Sequence, residues 1–393
     1  MIKSITVSIT ELDDEEIAIE QLNSQLNPDE LMKNSIAVVS CHHEFIFSGI
    51  FKAVCEALPF EAVGATSSEQ CVPGKCDALL MTLMILTSDE LEFKSVITPS
   101  ILVEPERMNQ AIAESYQTAC GERKPDLVLA FAPFIQLNCS EDYLTVLNEA
   151  SGGVPCFGTI AVDDTADFAA CATLINGEAH RDKIIMVFIY GNIKPKFFVA
   201  NISDERIMSG NALVTKSAGG LLMEVNGAPF IEYFEKLGLA GAAEIQFALS
   251  YLPFLLDYND GTPKVSRVFV ALTPDKHAVC AGAVPQGATL YIASSDKNDV
   301  IKTTGEAIDE ILKEMDANEY SCALMYSCIT RSITLANDKY KEMELVMQTF
   351  GQKLPFMISS SGGEICPMHV ISEDSKEKVV NRFHNNTLIV CLI

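Results

Sequence analysis

The sequence predicts an α/β protein of repeated strand-helix-strand-strand units in two related halves, with an additional antiparallel strand region around residues 266–294. Three observations predict it. One plan of apolar runs recurs at three places along the chain. The runs that open each copy are short and continuously apolar, as expected of strands buried on both faces by crossover helices. Between the second and third copies the pattern changes to consecutive short strands joined by turns.

The first copy runs from IAVVSC (36–41) through HHEFIFSGIFKAVCEA to LPFEAVGATSS (58–68) and ALLMTLMIL (78–86). The second has DLVLAFAPF (126–134), an acidic polar stretch, VPCFGTIAVDD (154–164) and FAACATLIN (168–176). The third has CALMYSC (322–328), NDKYKEMELVMQTF (337–350), LPFMISSSGGE (354–364) and NTLIVCLI (386–393). Phe47, Ile50, Phe51, Val54, Cys55 and Leu58 recur at helical spacing, as do Tyr340, Met343, Val346, Met347 and Phe350. The proline before each second strand stands at a strand start, where its missing N–H is tolerated. Ser40-Cys41 and Ser327-Cys328 end corresponding strands and echo one half in the other. In the intervening region SRVFVAL, HAVCAGAVP and ATLYIAS read as antiparallel strands. An amphipathic helix follows over 298–315, with Val300, Ile301, Thr304, Ala307, Ile308, Ile311, Leu312 and Met315 as its stripe.

The balance of 28 basic against 53 acidic residues, net −25, argues against nucleic acid and anionic membrane as partners, because both demand basic surface. The N-terminus turns acidic within a dozen residues and lacks the apolar core of a signal peptide. The longest apolar runs are strand-sized, too short to span a bilayer. A cytoplasmic location is expected, with most of the 13 cysteines reduced and buried. Cys71 and Cys76 have C-x4-C spacing, but no second pair stands at zinc spacing.

No complete catalytic motif is present. SSSGGE (359–364) lacks the first glycine of a nucleophile elbow, and no phosphate-binding glycine loop occurs. Cys41-His42-His43 stands where a strand hands over to a helix. It reads as an activated thiol with a neighbouring base, as a pair of metal or haem ligands, or as a packed cysteine beside exposed histidines. Arg331 lies three residues beyond a strand end, and Glu364 is expected on the same rim. A guanidinium that grips carboxylate and a carboxylate that accepts from ammonium would together hold a zwitterion; the plain alternative is a surface Arg–Glu pair.

These residues carry a resemblance. VGATSSEQCVPG, GTIAVDD, LLMEVNGAPFIEYFEKLGL, YSCITR, LPFMISSSGGEI and FHNNTLIV occur in an order similar to that of the FIST family, named for F-box and intracellular signal transduction proteins. The chain departs from the family pattern at Ile358, at Ser332 and in the single Gly158 of its second segment. The resemblance implies an N-terminal FIST-type domain over 1–222 and a C-terminal one over 223–393. It implies a cytoplasmic sensory protein, not an enzyme, that binds a small molecule, with amino acids as the proposed class, and signals through a separate partner. No cofactor is expected, haem being the family's alternative. The implied ligand-binding residues are Cys328, Arg331, Ser361, Gly362, Gly363, Glu364, His384 and Asn385, and, in the N-terminal half, Ser40, Cys41, Gly64, Ser67, Ser68, Asp163 and Asp164. The two glycines of SSSGGE would let backbone N–H groups approach a ligand. The competing readings are a protein-interaction scaffold and an enzyme using Cys41 or Cys328.

Overall fold

The computed structural model describes residues 2–103, 105–134, 140–165, 167–239, 251–351, 353–371 and 377–393. In chain order, the first unit comprises β1 (Ile2–Ile9), α1 (Glu15–Gln25), β2 (Asn34–Cys41), α2 (Glu44–Phe47), α3 (Ile50–Ala57), β3 (Glu61–Thr66), the hairpin β4 (Gln70–Val72) and β5 (Lys75–Asp77), and β6 (Met81–Ser88). The second comprises β7 (Glu92–Ile97), α4 (Pro105–Cys120), β8 (Leu127–Ala132), α5 (Ser140–Ser151), β9 (Cys156–Ile160), the hairpin β10 (Thr173–Ile175) and β11 (Glu178–His180), and β12 (Ile185–Tyr190). The third begins at β13 (Lys196–Ala200). It is interrupted by β14 (Ala212–Ala218), β15 (Leu221–Val225), β16 (Ala228–Pro229), α6 (Phe230–Lys236), β17 (Phe254–Asp257), β18 (Val265–Arg267), β19 (Phe269–Leu272), β20 (Ala278–Cys280) and β21 (Thr289–Ile292). It then resumes with α7 (Lys297–Ala317), β22 (Ala323–Cys328), α8 (Ile329–Leu335), α9 (Lys341–Phe350), β23 (Phe356–Ser361), the hairpin β24 (Glu364–Ile371) and β25 (Glu377–His384), and β26 (Leu388–Leu392).

Each unit centres on the same three strands. β2 and β3, β8 and β9, and β22 and β23 pair in parallel, while β6, β12 and β26 return antiparallel to the first strand of their own unit. The hairpins are exchanged. β4 of the first unit joins β23 of the third, β10 of the second joins β3 of the first, and β24 of the third joins β9 of the second. Three six-stranded sheets of one order result: β1-β6-β2-β3-β10-β11, β7-β12-β8-β9-β24-β25 and β13-β26-β22-β23-β4-β5. The expected repeat is therefore present, and it is threefold. The expected antiparallel region is wider than 266–294: it is an insertion in the third unit that forms a sheet of its own around Phe230, Phe234, Phe254 and Phe269. The expected boundary between residues 222 and 223 falls inside β15.

The apolar runs follow from burial on both faces. Along β2, Ile36 and Val38 face a core shared by all three sheets, and Ala37, Val39 and Cys41 face α1 and α3. Along β8, Leu127, Leu129 and Phe131 enter the shared core while Val128, Ala130 and Ala132 meet α4 and α5. Along β22, Leu324 and Tyr326 turn inward, and Ala323 and Met325 meet α7 and α9. The predicted helices form, with one change: Gly49, at a φ of 88°, separates α2 from α3. Phe47 consequently leaves the buried stripe and is 62% exposed. Among the described residues, twelve cysteines are free and all but Cys76 are buried. No helix among the described residues is long and apolar enough to cross a membrane.

Candidate functional site

The three parallel ladders end at Cys41–Thr66, Ala132–Ile160 and Cys328–Ser361. Three residues beyond each second strand stands an acid: Glu69, Asp163 and Glu364. All three are buried. The turns that carry them meet in a cycle. The Val162 amide donates to the Thr66 carbonyl at 3.1 Å, the Gly362 amide to the Ile160 carbonyl at 2.9 Å, and the Ser67 hydroxyl to the Ser360 carbonyl at 2.9 Å. One convergence point thus gathers Ser67 and Ser68, Asp163 and Asp164, and Ser361, Gly362, Gly363 and Glu364. These are some of the residues expected of the two halves; Gly64 and Arg331 serve elsewhere.

Their roles differ from the expectation. Gly64 is needed because a Cβ would lie 1.7 Å from the Val39 carbonyl oxygen. Its counterpart Gly158 stands 1.8 Å from the Ala130 oxygen by the same measure. The Gly362 and Gly363 amides, expected to approach a ligand, already donate to the Ile160 carbonyl and the Ser361 hydroxyl. A Cβ at Gly363 would strike the Phe383 ring at 2.3 Å, so close sheet contact is what that glycine permits. Ser361 Oγ is fully engaged, donating to the Gly363 carbonyl and accepting from Thr159 Oγ1.

Arg331 departs most. It is 1% exposed and does not pair with Glu364. Its Nε and Nη2 donate to Glu342 Oε1 at 2.9 and 2.6 Å, and Nη2 also reaches Thr304 Oγ1 and the Val300 carbonyl. Burial raises the Glu342 pKa, but the Arg331 charge and hydrogen bonds from Arg331, Ser327 and Thr304 outweigh it, and the carboxyl lies below its ordinary value. The pair ties α8 and α9 to α7 and leaves neither charge for a ligand. Sequence reading missed Glu342 because it sits on the covering helix, not at a strand end.

Glu364 is the opposite case. It is fully buried; Thr387 Oγ1 donates to Oε2 at 2.8 Å, and Oε1 has no hydrogen-bond partner. Burial pushes its pKa up to about 8, opposed foremost by the hydrogen bond from Thr387. Burial thus favours its protonated form, which can donate as well as accept. His384, its cross-strand partner, is held neutral: burial foremost, then the Arg267 charge, lowers its pKa to about 3. Neither ring nitrogen has a hydrogen-bond partner, nor do Asn385 Oδ1 and Asn386 Nδ2 in the same turn. Thr387 and Asn386 were not singled out, although both lie within the quoted His-Asn-x-Thr stretch. Cys328 touches Thr330 Oγ1 at 3.2 Å, and burial, with Glu364 nearby, pushes its thiol up to about 12. Cys41 is raised further by the same desolvation. Neither thiol has the lowered pKa of a nucleophile.

Elsewhere at the cycle, Ser40 and Ser68 hydroxyls have no partner. Asp163 is spent on its own turn, accepting from the amides of Thr165 and Ala170, both at 2.6 Å. Asp164 faces His42 and His43, which are buried, not exposed as one reading expected. Glu69, which sequence reading passed over, accepts from the Ser332 and Ser360 hydroxyls and pairs with Lys339 Nζ at 3.1 Å. Counting three residues past each second strand in ATSSEQ, TIAVDD and SSSGGE would have aligned it with Glu364.

Fold and site define a three-unit α/β protein with a buried, acid-lined point of convergence. The family models for the FIST N domain and the FIST C domain match residues 35–228 and 230–367, and the chain belongs to the FIST family. FIST domains are associated with sensory signal transduction. No curated protein matches the chain. Among solved structures, a cyanuric acid hydrolase from A. caulinodans is 10% identical over 100% of this chain and 99% of its own, with a TM-score of 0.35. A second cyanuric acid hydrolase structure is 9% identical over 100% and 99%, with a TM-score of 0.34. Likeness at that level carries no conclusion about function.

Proposed function

We propose that this protein is a sensory binding protein whose small polar ligand is held at the acid turn of the third unit and whose bound state is passed to a separate output protein in the cytoplasm. One observation carries the reading: Glu364 is fully buried with one oxygen unpartnered among the described residues, beside His384, Asn385 and Asn386, which also have orphaned polar atoms. Buried polar groups without partners are rare in stable proteins, and perturbed carboxyls cluster at functional sites. With Arg331 committed to Glu342, the ligand engages this cluster through uncharged hydrogen bonds. Among amino acids, the reading favours those that bring a carboxamide or hydroxyl side chain.

A thermal-shift screen of the full chain against the common amino acids and small neutral amides tests it. A ligand at about a hundred times its dissociation constant adds roughly 2.7 kcal/mol. We expect a hit that Glu364→Gln or His384→Ala weakens at least tenfold. A hit that neither substitution affects would place binding elsewhere, and a blank plate would favour the interaction-scaffold reading.

A further inference from the structure

We propose that His42, His43 and Asp164 form a divalent transition-metal site at the seam between the first and second units. This rests on side chains outside the Glu364 cluster and is independent of the sensory reading. His42 and His43 leave the end of β2; Asp164 belongs to the turn after β9. Both imidazoles are more than nine-tenths buried, while the Asp164 side chain is 55% exposed, so the site has a protein wall and an open side.

The spacing suits three ligands of one metal, which would replace the present His42–Asp164 contact. Asp164 Oδ1 lies 3.2 Å from His42 Nε2 and 3.5 Å from His43 Nδ1, and one ligand atom from each residue falls within 4.8 Å of the others. Zinc–nitrogen and zinc–oxygen bonds of about 2.0–2.2 Å place neighbouring tetrahedral ligands about 3.3 Å apart. His43 Nδ1 is buried and has no hydrogen-bond partner. Its other nitrogen, Nε2, faces Glu44 Oε1 at 3.4 Å. That is the carboxylate–histidine–metal arrangement, in which an outer carboxylate fixes the tautomer that leaves the inner nitrogen free to ligate. His42 bears a cost. Its Nδ1 accepts from the Glu44 amide at 3.3 Å, and ligation through Nε2 exchanges the tautomer and gives up that long contact.

The neighbouring seam sharpens the case. Between the third and first units, Glu69 meets a cation supplied by the chain, Lys339. At the seam between the first and second, Asp164 meets only imidazoles among the described residues. A bound cation would supply the missing charge. Two nitrogens and one carboxylate oxygen suit zinc, cobalt or nickel and not magnesium or calcium, which take oxygen ligands. The open side leaves room for a water as fourth ligand.

The test uses the full chain, stripped with a chelator, kept reduced without thiols and titrated with Co2+. We expect one equivalent per chain, visible bands of tetrahedral cobalt without thiolate charge transfer, and displacement by Zn2+ but not Mg2+. His42→Ala and His43→Ala each weaken uptake by about a hundredfold or more, and Glu44→Gln by about tenfold. If a histidine variant fails to fold, Asp164→Asn, at an exposed side chain, gives the same readout. No stoichiometric uptake, a thiolate spectrum, or uptake unchanged in these variants would overturn the proposal.

Discussion

The acid turns of the first two units and that of the third stand at one register, and they have been put to different uses. Glu69 has a lysine and two serine hydroxyls, and Asp163 has the amides of its own loop. Glu364 has one threonine hydroxyl and an oxygen with no partner. The first two are locks, in which every buried lone pair that matters is answered. The third is left short of partners in a place where burial holds its proton. A threefold architecture thus teaches what a single buried acid would not. The same backbone position is easily satisfied, so the unsatisfied copy calls for an explanation other than geometry.

The largest test addresses the equivalence itself. If the ladders match in register, the Val39–Gly64 and Ala130–Gly158 pairs correspond to Tyr326–Ser359. Gly64→Ala and Gly158→Ala should each cost about 4 kcal/mol or more, because the new Cβ meets a backbone oxygen that cannot move alone. Ser359→Ala should change stability by about 1 kcal/mol or less. Chemical denaturation of the three variants checks this. A mild Gly64→Ala would break the structural account of that glycine and restore the ligand-contact reading.

Arg331 comes next. As half of a buried pair it should cost about 3–5 kcal/mol when cut to alanine, since Glu342 is left charged and alone. A variant that stays as stable as the parent but loses ligand would return Arg331 to the binding surface and undo the contrast between a satisfied Glu342 and an unsatisfied Glu364.

Much of this molecule was legible before the fold was known. Strands buried on both faces show as runs such as IAVVSC and CALMYSC, and α7 and α9 show as stripes, because those patterns depend on local burial alone. The hairpin exchange was not legible: nothing in QCV or EIC tells a strand that its partner lies in another unit's sheet, since that pairing is set by how the three sheets close on one another. The site divides the same way. Glu364, His384 and Asn385 could be read as polar residues at strand ends. That Arg331 would turn to the covering helix, and that Glu364 would keep its proton, depend on tertiary neighbours and desolvation.

The protonation of Glu364 makes a prediction with a definite sign. In the unfolded chain its carboxyl ionises near the ordinary value; in the folded chain it keeps its proton up to about 8. Between those limits the folded state binds the extra proton, so stability falls as pH rises, by at most about 1.4 kcal/mol per unit. Below the ordinary carboxyl pKa the effect is absent. His384 contributes the reverse slope, losing stability as pH falls from its ordinary value towards about 3. Comparing Glu364→Gln with the parent by urea unfolding at pH 5, 6.5 and 8 removes that common background. The variant should gain on the parent steadily towards pH 8, and parallel curves would mean that Glu364 is ionised after all.

The smallest expected effect probes the lock in the second unit. In Asp163→Asn one oxygen becomes an amide nitrogen and cannot accept from both sides of the 165–170 loop. Rotated either way, the side chain leaves one buried amide facing a donor. The cost should be about 1–2 kcal/mol, the penalty of one unsatisfied buried group. Its difference from Glu364→Gln is then one of sign: the same change from acid to amide weakens the satisfied turn and strengthens the unsatisfied one at pH 8. If both substitutions destabilise alike, Glu364 is as well answered as Asp163, and the third turn loses its claim to be the place where a ligand completes the structure.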